Sequence, residues 1–369
     1  MSITFSYKKS KSGARKGILS LPHGNTHTPF FMPIATRGAV KHVLSQELEG
    51  LGAEIILANT YHLLQRPGLA VLKKFGGLHG FMRWSRPILT DSGGYQVFSL
   101  SHKRKITEKG VRFRSEIDGK EVFLTPENVV EAQLAIGSDI IMVLDECPPY
   151  PAKHSYMEKS LERTIRWAKR AKVYFEKRMK ALHPKKRPLL FGIIQGGTYK
   201  DLREKSVKEM VKIEFDGYAI GGVSVGEPRA SKQKEIMWSL KYLPENKPRY
   251  LMGLGKPEEI VWAVKRGVDM FDCIIPTREA RHGKLYVMKK PASIGGDFYR
   301  TINIKKEAFA KDAKPIDAHC PCVACKNFSR AYLRHLFSVN EMLGQHLATL
   351  HNLAFYLRLM QTLRRKSGN

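Results

Sequence analysis

The chain has 369 residues, 43% of them apolar, and carries 63 Lys+Arg against 34 Asp+Glu, a formal net charge of +29. That composition supports a sizeable core and excludes disordered and collagen-like classes, while the length suits two domains or one large barrel with insertions. No apolar run approaches the ~20 residues of a membrane span, and five cysteines make no disulfide framework.

Taken in chain order, the N-terminus is basic (Lys8, Lys9, Lys11, Arg15, Lys16) with no apolar segment behind it. That predicts no secretory signal and a soluble, cytoplasmic protein. A stretch punctuated by Gly, Thr and Pro follows over Leu21–Phe31. Short apolar runs then alternate with longer amphipathic ones. Strands are predicted at Glu54–Ala58, Pro87–Thr90, Ile140–Leu144, Leu189–Ile194, Tyr218–Ile220, Tyr250–Met252 and Asp269–Phe271, with Lys284–Val287 as an eighth. Helical patterns lie between them, for example at Pro126–Ile136, Met157–Leu182 and Pro257–Lys265. This alternation predicts an α/β fold with a parallel sheet, and the strand number suits a (β/α)8 barrel. An open doubly wound sheet is the alternative, although no GxGxxG or P-loop supports its nucleotide-binding forms.

The residues that end these strands are polar or Gly-rich: Asp91-Ser92-Gly93-Gly94-Tyr95-Gln96, Asp145-Glu146-Cys147, Gln195-Gly196-Gly197, Gly221-Gly222-Val223 and Asp272-Cys273. Each alone is more often a turn or tight loop. In a barrel all five share the catalytic rim, where three carboxylates and an amide would converge on one pocket.

The positive charge is uneven. Residues 153–187 hold 13 Lys/Arg and three acids, and Leu161, Ile165, Ala168, Phe175, Met179 and Leu182 recur at helical spacing, which puts the charges on the solvated side. From Arg278 to the end there are 17 basic and six acidic residues. One such run reads as a soluble surface. Two of them favour a polyanion, and nucleic acid over a membrane.

Cys320-Pro321-Cys322-Val323-Ala324-Cys325 offers three thiolates in CxCxxC spacing. A fourth ligand must come from elsewhere. Spacing leaves His346 and His351 open, the latter beginning a helical run at His351-Asn352-Leu353. Three Cys and one His suit a closed, four-coordinate structural Zn²⁺ site. Unliganded thiols and an iron–sulfur cluster are the alternatives.

Several longer motifs combine with this cluster. They are Asn59-Thr60-Tyr61-His62-Leu63, Thr90-Asp91-Ser92-Gly93-Gly94-Tyr95-Gln96-Val97, Phe215-Asp216-Gly217 with Gly221-Gly222 and Gly226-Glu227, and Tyr250-Leu251-Met252-Gly253. Asp269-Met270-Phe271-Asp272-Cys273 runs into Pro276-Thr277-Arg278, and His351-Asn352 follows the cysteines. With them the chain resembles the bacterial-type tRNA-guanine transglycosylases (queuine tRNA-ribosyltransferases) over nearly its whole length. The resemblance implies a TIM barrel over residues 1–369 with a zinc-binding subdomain inserted near the C-terminus, over 285–355. It implies one structural Zn²⁺ on Cys320, Cys322, Cys325 and His351, and a homodimer.

The family reaction exchanges the wobble guanine of tRNAs with GUN anticodons for a 7-deazaguanine, in queuosine biosynthesis, without cutting the chain. Exchange at an anomeric carbon passes through an oxocarbenium-like state that a carboxylate can capture. The resemblance implies Asp272 as the nucleophile on C1′ and Asp91 as the carrier of the base proton. It implies Asp145, Gln195, Gly222 and Val223 as partners of the base edge, Tyr95 and Met252 as the sandwich around its plane, and Arg278 and Arg281 as the grip on the anticodon. Cys147 and Val225 resemble the bacterial pocket, which takes 7-aminomethyl-7-deazaguanine; queuine itself is the alternative donor. Three rivals are weighed against this. A non-catalytic RNA-binding subunit would lack the nucleophile, the archaeal-type enzyme would need further C-terminal domains beyond Asn369, and a zinc-dependent barrel hydrolase would need an open metal on the rim.

Overall fold

The computed structural model describes residues 5–100, 104–289 and 294–367. Eight short parallel strands form its centre: β1 (Phe30–Met32), β2 (Ile56–Asn59), β3 (Ile88–Asp91), β4 (Ile140–Met142), β5 (Leu189–Ile194), β6 (Gly217–Ile220), β7 (Arg249–Leu251) and β8 (Met270–Asp272). Each is almost wholly buried, as strands covered on both faces must be. They pair in sequence order from β2 to β8, and β8 returns to β1 with Asp272 opposite Met32. Beyond β1 the chain meets β2: Ile34 bridges to Leu57, and the Ala35 amide donates to the Leu57 carbonyl over 2.6 Å. The sheet therefore closes into a (β/α)8 barrel, and the open doubly wound alternative falls.

One predicted strand is corrected. Lys284–Met288 pairs antiparallel with Tyr299–Asn303, outside the barrel. Its place belongs to Phe30–Met32, a three-residue run between Pro29 and Pro33 that is too short to announce itself as a strand. The helical readings fare better. Helix α1 (Pro126–Ile136) carries a reciprocal cap between Thr125 and Asn128, proline at its first position and Gly137 at φ +83° to end it. Helix α2 (His154–Met179) begins and ends three residues earlier than its apolar pattern suggests.

An antiparallel sheet of Phe5–Lys9, Arg15–Leu21 and Gly24–Thr28 lies at the end where the barrel strands begin. Its buried Arg15 grips Asp269, just before β8, through Nε (3.0 Å) and Nη2 (2.6 Å). His23 bonds Asp139, just before β4. This leaves the opposite end of the barrel open for a site.

The basic run at 153–187 has a structural use. All five of its arginines meet carboxylates: Arg163 with Glu146, Arg166 with Glu108, Arg170 with Glu127, Arg178 with Glu131, and Arg187 with Asp216. They bind α2 to its neighbours, so the formal charge of this run overstates what it offers a polyanion.

After the barrel closes, residues from Leu285 to Ala348 build a second apolar cluster that includes the three cysteines of the CxCxxC motif. Helix α3 (Met342–Lys366) joins it to the barrel. Leu347 and Ala348 pack in the cysteine cluster, while Leu359, Met360 and Leu363 pack in the main core.

Candidate active site

The strand ends surround a cavity of about 530 Å³. Asp91, Tyr95, Asp145, Gln195, Gly222, Val223, Met252, Asp272 and Arg278 all line it. Arg281 does not; it stands in the last turn of the same short helix, Ile275–Arg281, with its Nη1 on the Thr277 carbonyl (2.9 Å).

Asp91 is the last residue of β3 and lies opposite Asn59, the last of β2. That register lets the Asn59 side-chain amide and the Thr60 backbone N–H (3.0 Å) donate to its two carboxylate oxygens. Burial outweighs these bonds, and with the charge of Asp272 it pushes the Asp91 carboxyl up to about 6. Asp272 ends β8. Its Oδ1 accepts the Tyr250 hydroxyl (2.6 Å) and the Gly253 N–H (2.8 Å). Neither bond falls on Oδ2. Burial raises the Asp272 carboxyl, and burial with the facing Asp272 charge keeps the Tyr250 phenol protonated as a donor.

Asp145 follows β4, accepting from Gln195 Nε2 (2.7 Å) and Ser92 Oγ (3.4 Å). Gln195 Oε1 is buried with no hydrogen-bond partner. Gly222 sits at φ +61°, and a Cβ there would stand 2.3 Å from Gln195 Oε1, so only glycine fits. The wall thus brings the Asp145 carboxylate, the Gln195 side chain and the Gly222–Val223 turn to one face of the cavity. A carboxylate acceptor beside amide groups suits a flat heterocycle that carries both N–H donors and acceptors. Cys147 and Val225 complete this side, and burial pushes the Cys147 thiol up to about 12, so it stays neutral. Tyr95 stands at the mouth, half exposed.

Burial also pushes the Asp145 carboxyl from 3.8 up to about 6. A carboxyl raised by folding contributes stability below its unfolded pKa, and that contribution is lost as pH rises through the folded one. Asp145→Asn is therefore expected to stabilise the protein by about 1–3 kcal/mol near pH 7.5 and by less than about 1 kcal/mol near pH 4. Urea unfolding at the two pH values reads this. Equal shifts at both would show that the charge is not the cause.

Cys320, Cys322, Cys325 and His351 come together in the second apolar cluster, their ligand atoms all within 4.8 Å of one another and all four residues buried. His351 Nδ1 is 3.2 Å from the Cys325 sulfur, and Nε2 is 2.6 Å from the Tyr286 carbonyl. That carbonyl holds the hydrogen on Nε2 and turns the Nδ1 lone pair toward the sulfurs, which is how protein-bound metal ligands are oriented. The donor set fits a metal. His346, left open by spacing, is engaged elsewhere, with the His42 carbonyl (2.5 Å) and Glu47 (3.1 Å). The cluster reaches the cavity through the next residue: the Asn352 side chain donates to the carbonyls of Pro276 and Lys284, both at 3.0 Å, bracketing the arginine helix.

His23, His79 and Asp139 form a second compact group at the opposite barrel end. His79 Nε2 lies 3.0 Å from the Arg86 carbonyl and so carries a hydrogen in place of a lone pair, and both Asp139 oxygens already accept backbone amides. This group is a hydrogen-bond network.

Sequence reasoning assigned no role to Asn59, Tyr250, Ser92 or Asn352. Asn59 could have been found as a polar strand end beside Asp91. Tyr250 could have been found as a phenol within a buried strand, which needs a partner for its hydroxyl.

Comparison with known proteins agrees with this architecture. The family model described as queuine tRNA-ribosyltransferase matches residues 10–366. A queuine tRNA-ribosyltransferase of Thermoanaerobacter sp. (strain X514) is 51% identical over 357 residues, 97% of this chain and 91% of the relative. Those of Acinetobacter baylyi and Vibrio campbellii are 51% and 49% identical, over 97% and 99% of this chain and 89% and 92% of theirs. Among the described residues no helix is long and apolar enough to cross a membrane.

Proposed function

The chain belongs to the queuine tRNA-ribosyltransferase family, and from that membership we propose that it exchanges the wobble guanine of tRNAs with GUN anticodons for a 7-deazaguanine by double displacement. The observation that carries this reading is the pair Asp91 and Asp272 on one cavity, each held by its own donors. Asp272 Oδ2 bonds to C1′ as the C1′–N9 bond breaks, and Asp91 supplies the proton that the departing guanine takes up. The incoming base gives its proton to Asp91, its nitrogen attacks C1′, and the Asp272–ribose bond breaks with the electron pair returning to the carboxylate. A carboxyl near 6 can do both halves of this proton work at neutral pH. Tyr250 and Gly253 hold the nucleophile and receive its charge back when it leaves.

Asp145, Gln195 and the Gly222–Val223 backbone read the base edge, and Tyr95 and Met252 enclose its faces. The target nucleotide leaves its stack to enter, which single-stranded anticodon bases do at least cost. Arg278 at the cavity and Arg281 behind it hold the flanking phosphates. Cys147 and Val225 line the cavity and resemble the bacterial pocket, so 7-aminomethyl-7-deazaguanine is the donor we favour over queuine. Cys320, Cys322, Cys325 and His351 hold one Zn²⁺, whose four protein ligands leave no open position and which supplies structure alone. Residues 285–355 act as its subdomain within a single barrel domain, in a cytoplasmic homodimer.

The test is incubation with labelled guanine and a GUN-anticodon tRNA, with and without each deazaguanine. Incorporation of label, chased by 7-aminomethyl-7-deazaguanine in preference to queuine, is the expected result. No incorporation would end the reading.

A further inference from the structure

One buried charge takes no part in this chemistry. Arg203, on the helix Lys200–Lys212, is fully buried beneath the cavity wall. A guanidinium has five N–H donors, and here all five are engaged. Nε donates to the Gly197 carbonyl (2.8 Å), and Nη1 to those of Ile194 (3.2 Å) and Gly221 (2.7 Å). Nη2 donates to the Gly222 carbonyl (3.1 Å) and to Glu235 (3.3 Å). Four of the five partners are backbone carbonyls on either side of Gln195 or within the Gly221–Gly222 turn. A trans peptide points its C=O and N–H in opposite directions. Gripping the Gly221 and Gly222 carbonyls from below therefore aims the Gly222 and Val223 amides the other way, at the cavity those residues line.

We propose that Arg203 is a positioning residue for base recognition, setting the direction of the Gly222 and Val223 N–H groups against the acceptor edge of a purine-like base. The proposal rests on the base-exchange reading above. Lysine keeps the charge but offers three donors and no planar fork, so R203K loses part of the grip. It is expected to raise the KM for guanine by about tenfold, with the protein still folded and the KM for tRNA close to wild type. The double variant R203M/E235M replaces the ion pair by apolar side chains, which buried pairs often tolerate, and leaves the four backbone carbonyls without their donor. It removes the grip entirely and is expected to raise the guanine KM further.

An unchanged guanine KM in either folded variant would overturn the proposal, as would parallel rises in both KM values. Failure of both variants to fold would assign Arg203 to the fold alone and overturn it too. Wild-type protein that does not exchange guanine would instead defeat the underlying reading.

Discussion

Asp272→Asn is expected to lower guanine exchange by at least about 10⁴-fold while leaving tRNA affinity within about threefold of wild type. The asparagine keeps an Oδ1 to accept the Tyr250 hydroxyl and the Gly253 N–H, so the cavity retains its shape. What disappears is the negative oxygen proposed to capture C1′. Asp145 and Gln195, the proposed partners of the base edge, follow other strands, so base binding is expected to persist. Steady-state exchange with labelled guanine, paired with a tRNA binding isotherm, separates the two effects. Exchange within tenfold of wild type would remove Asp272 as the nucleophile, and joint loss of exchange and binding would make it a structural residue.

Removal of the proposed metal is expected to have the second large effect. In small domains a structural zinc site contributes on the order of 10 kcal/mol of apparent folding free energy. Here the site lies within its own apolar cluster rather than on the rim. Chelation, or His351→Ala, would leave three buried thiols without the centre that orders them. The Asn352 bonds to Pro276 and Lys284 would then loosen, and with them the helix that carries Arg278 and Arg281. The expected outcome is a fall of at least about 10 °C in the thermal midpoint and a weakening of tRNA binding by at least about tenfold, with guanine binding to the barrel less affected. Loss of activity at an unchanged midpoint would contradict this and point to a metal that acts in the reaction. Zinc content by elemental analysis, set against loss of midpoint on titration with chelator, gives the stoichiometry.

The legible part of this molecule was its long, strongly patterned part. Pro126–Ile136 has proline at its start, a capping pair and a terminal glycine, and it folds over the same residues. The polar strand ends could be recognised because a barrel collects them on one face, and Asp91, Asp145, Gln195 and Asp272 do meet on one cavity. Two kinds of feature stayed hidden. Phe30–Met32 is a three-residue strand between prolines, while the apolar run at Lys284–Met288 looked like a barrel strand and became one side of a hairpin. Periodicity does not say which sheet a run joins. The supporting residues were hidden for a different reason. Asn59 reaches Asp91 across a strand pair, Tyr250 reaches Asp272 over 22 positions, and Arg203 reaches Gly221 and Gly222 from a separate helix. Such pairings depend on register and on three-dimensional closure, which local pattern does not encode. The charge of the 153–187 run is partly taken up within the fold for the same reason, because its arginines find their carboxylates in other elements.

Asp272 is proposed to form a bond to ribose while the base is exchanged. Wild-type protein mixed with a GUN-anticodon tRNA in the absence of an incoming base, quenched in denaturant and digested with protease and ribonuclease, tests it by peptide mass. The expected result is a ribose-phosphate mass, the nucleotide without its guanine, on the peptide that contains Asp272, absent from the Asp272→Asn protein and discharged when 7-aminomethyl-7-deazaguanine is added before the quench. An adduct on another residue, or exchange at full rate with no adduct at any time, would contradict it.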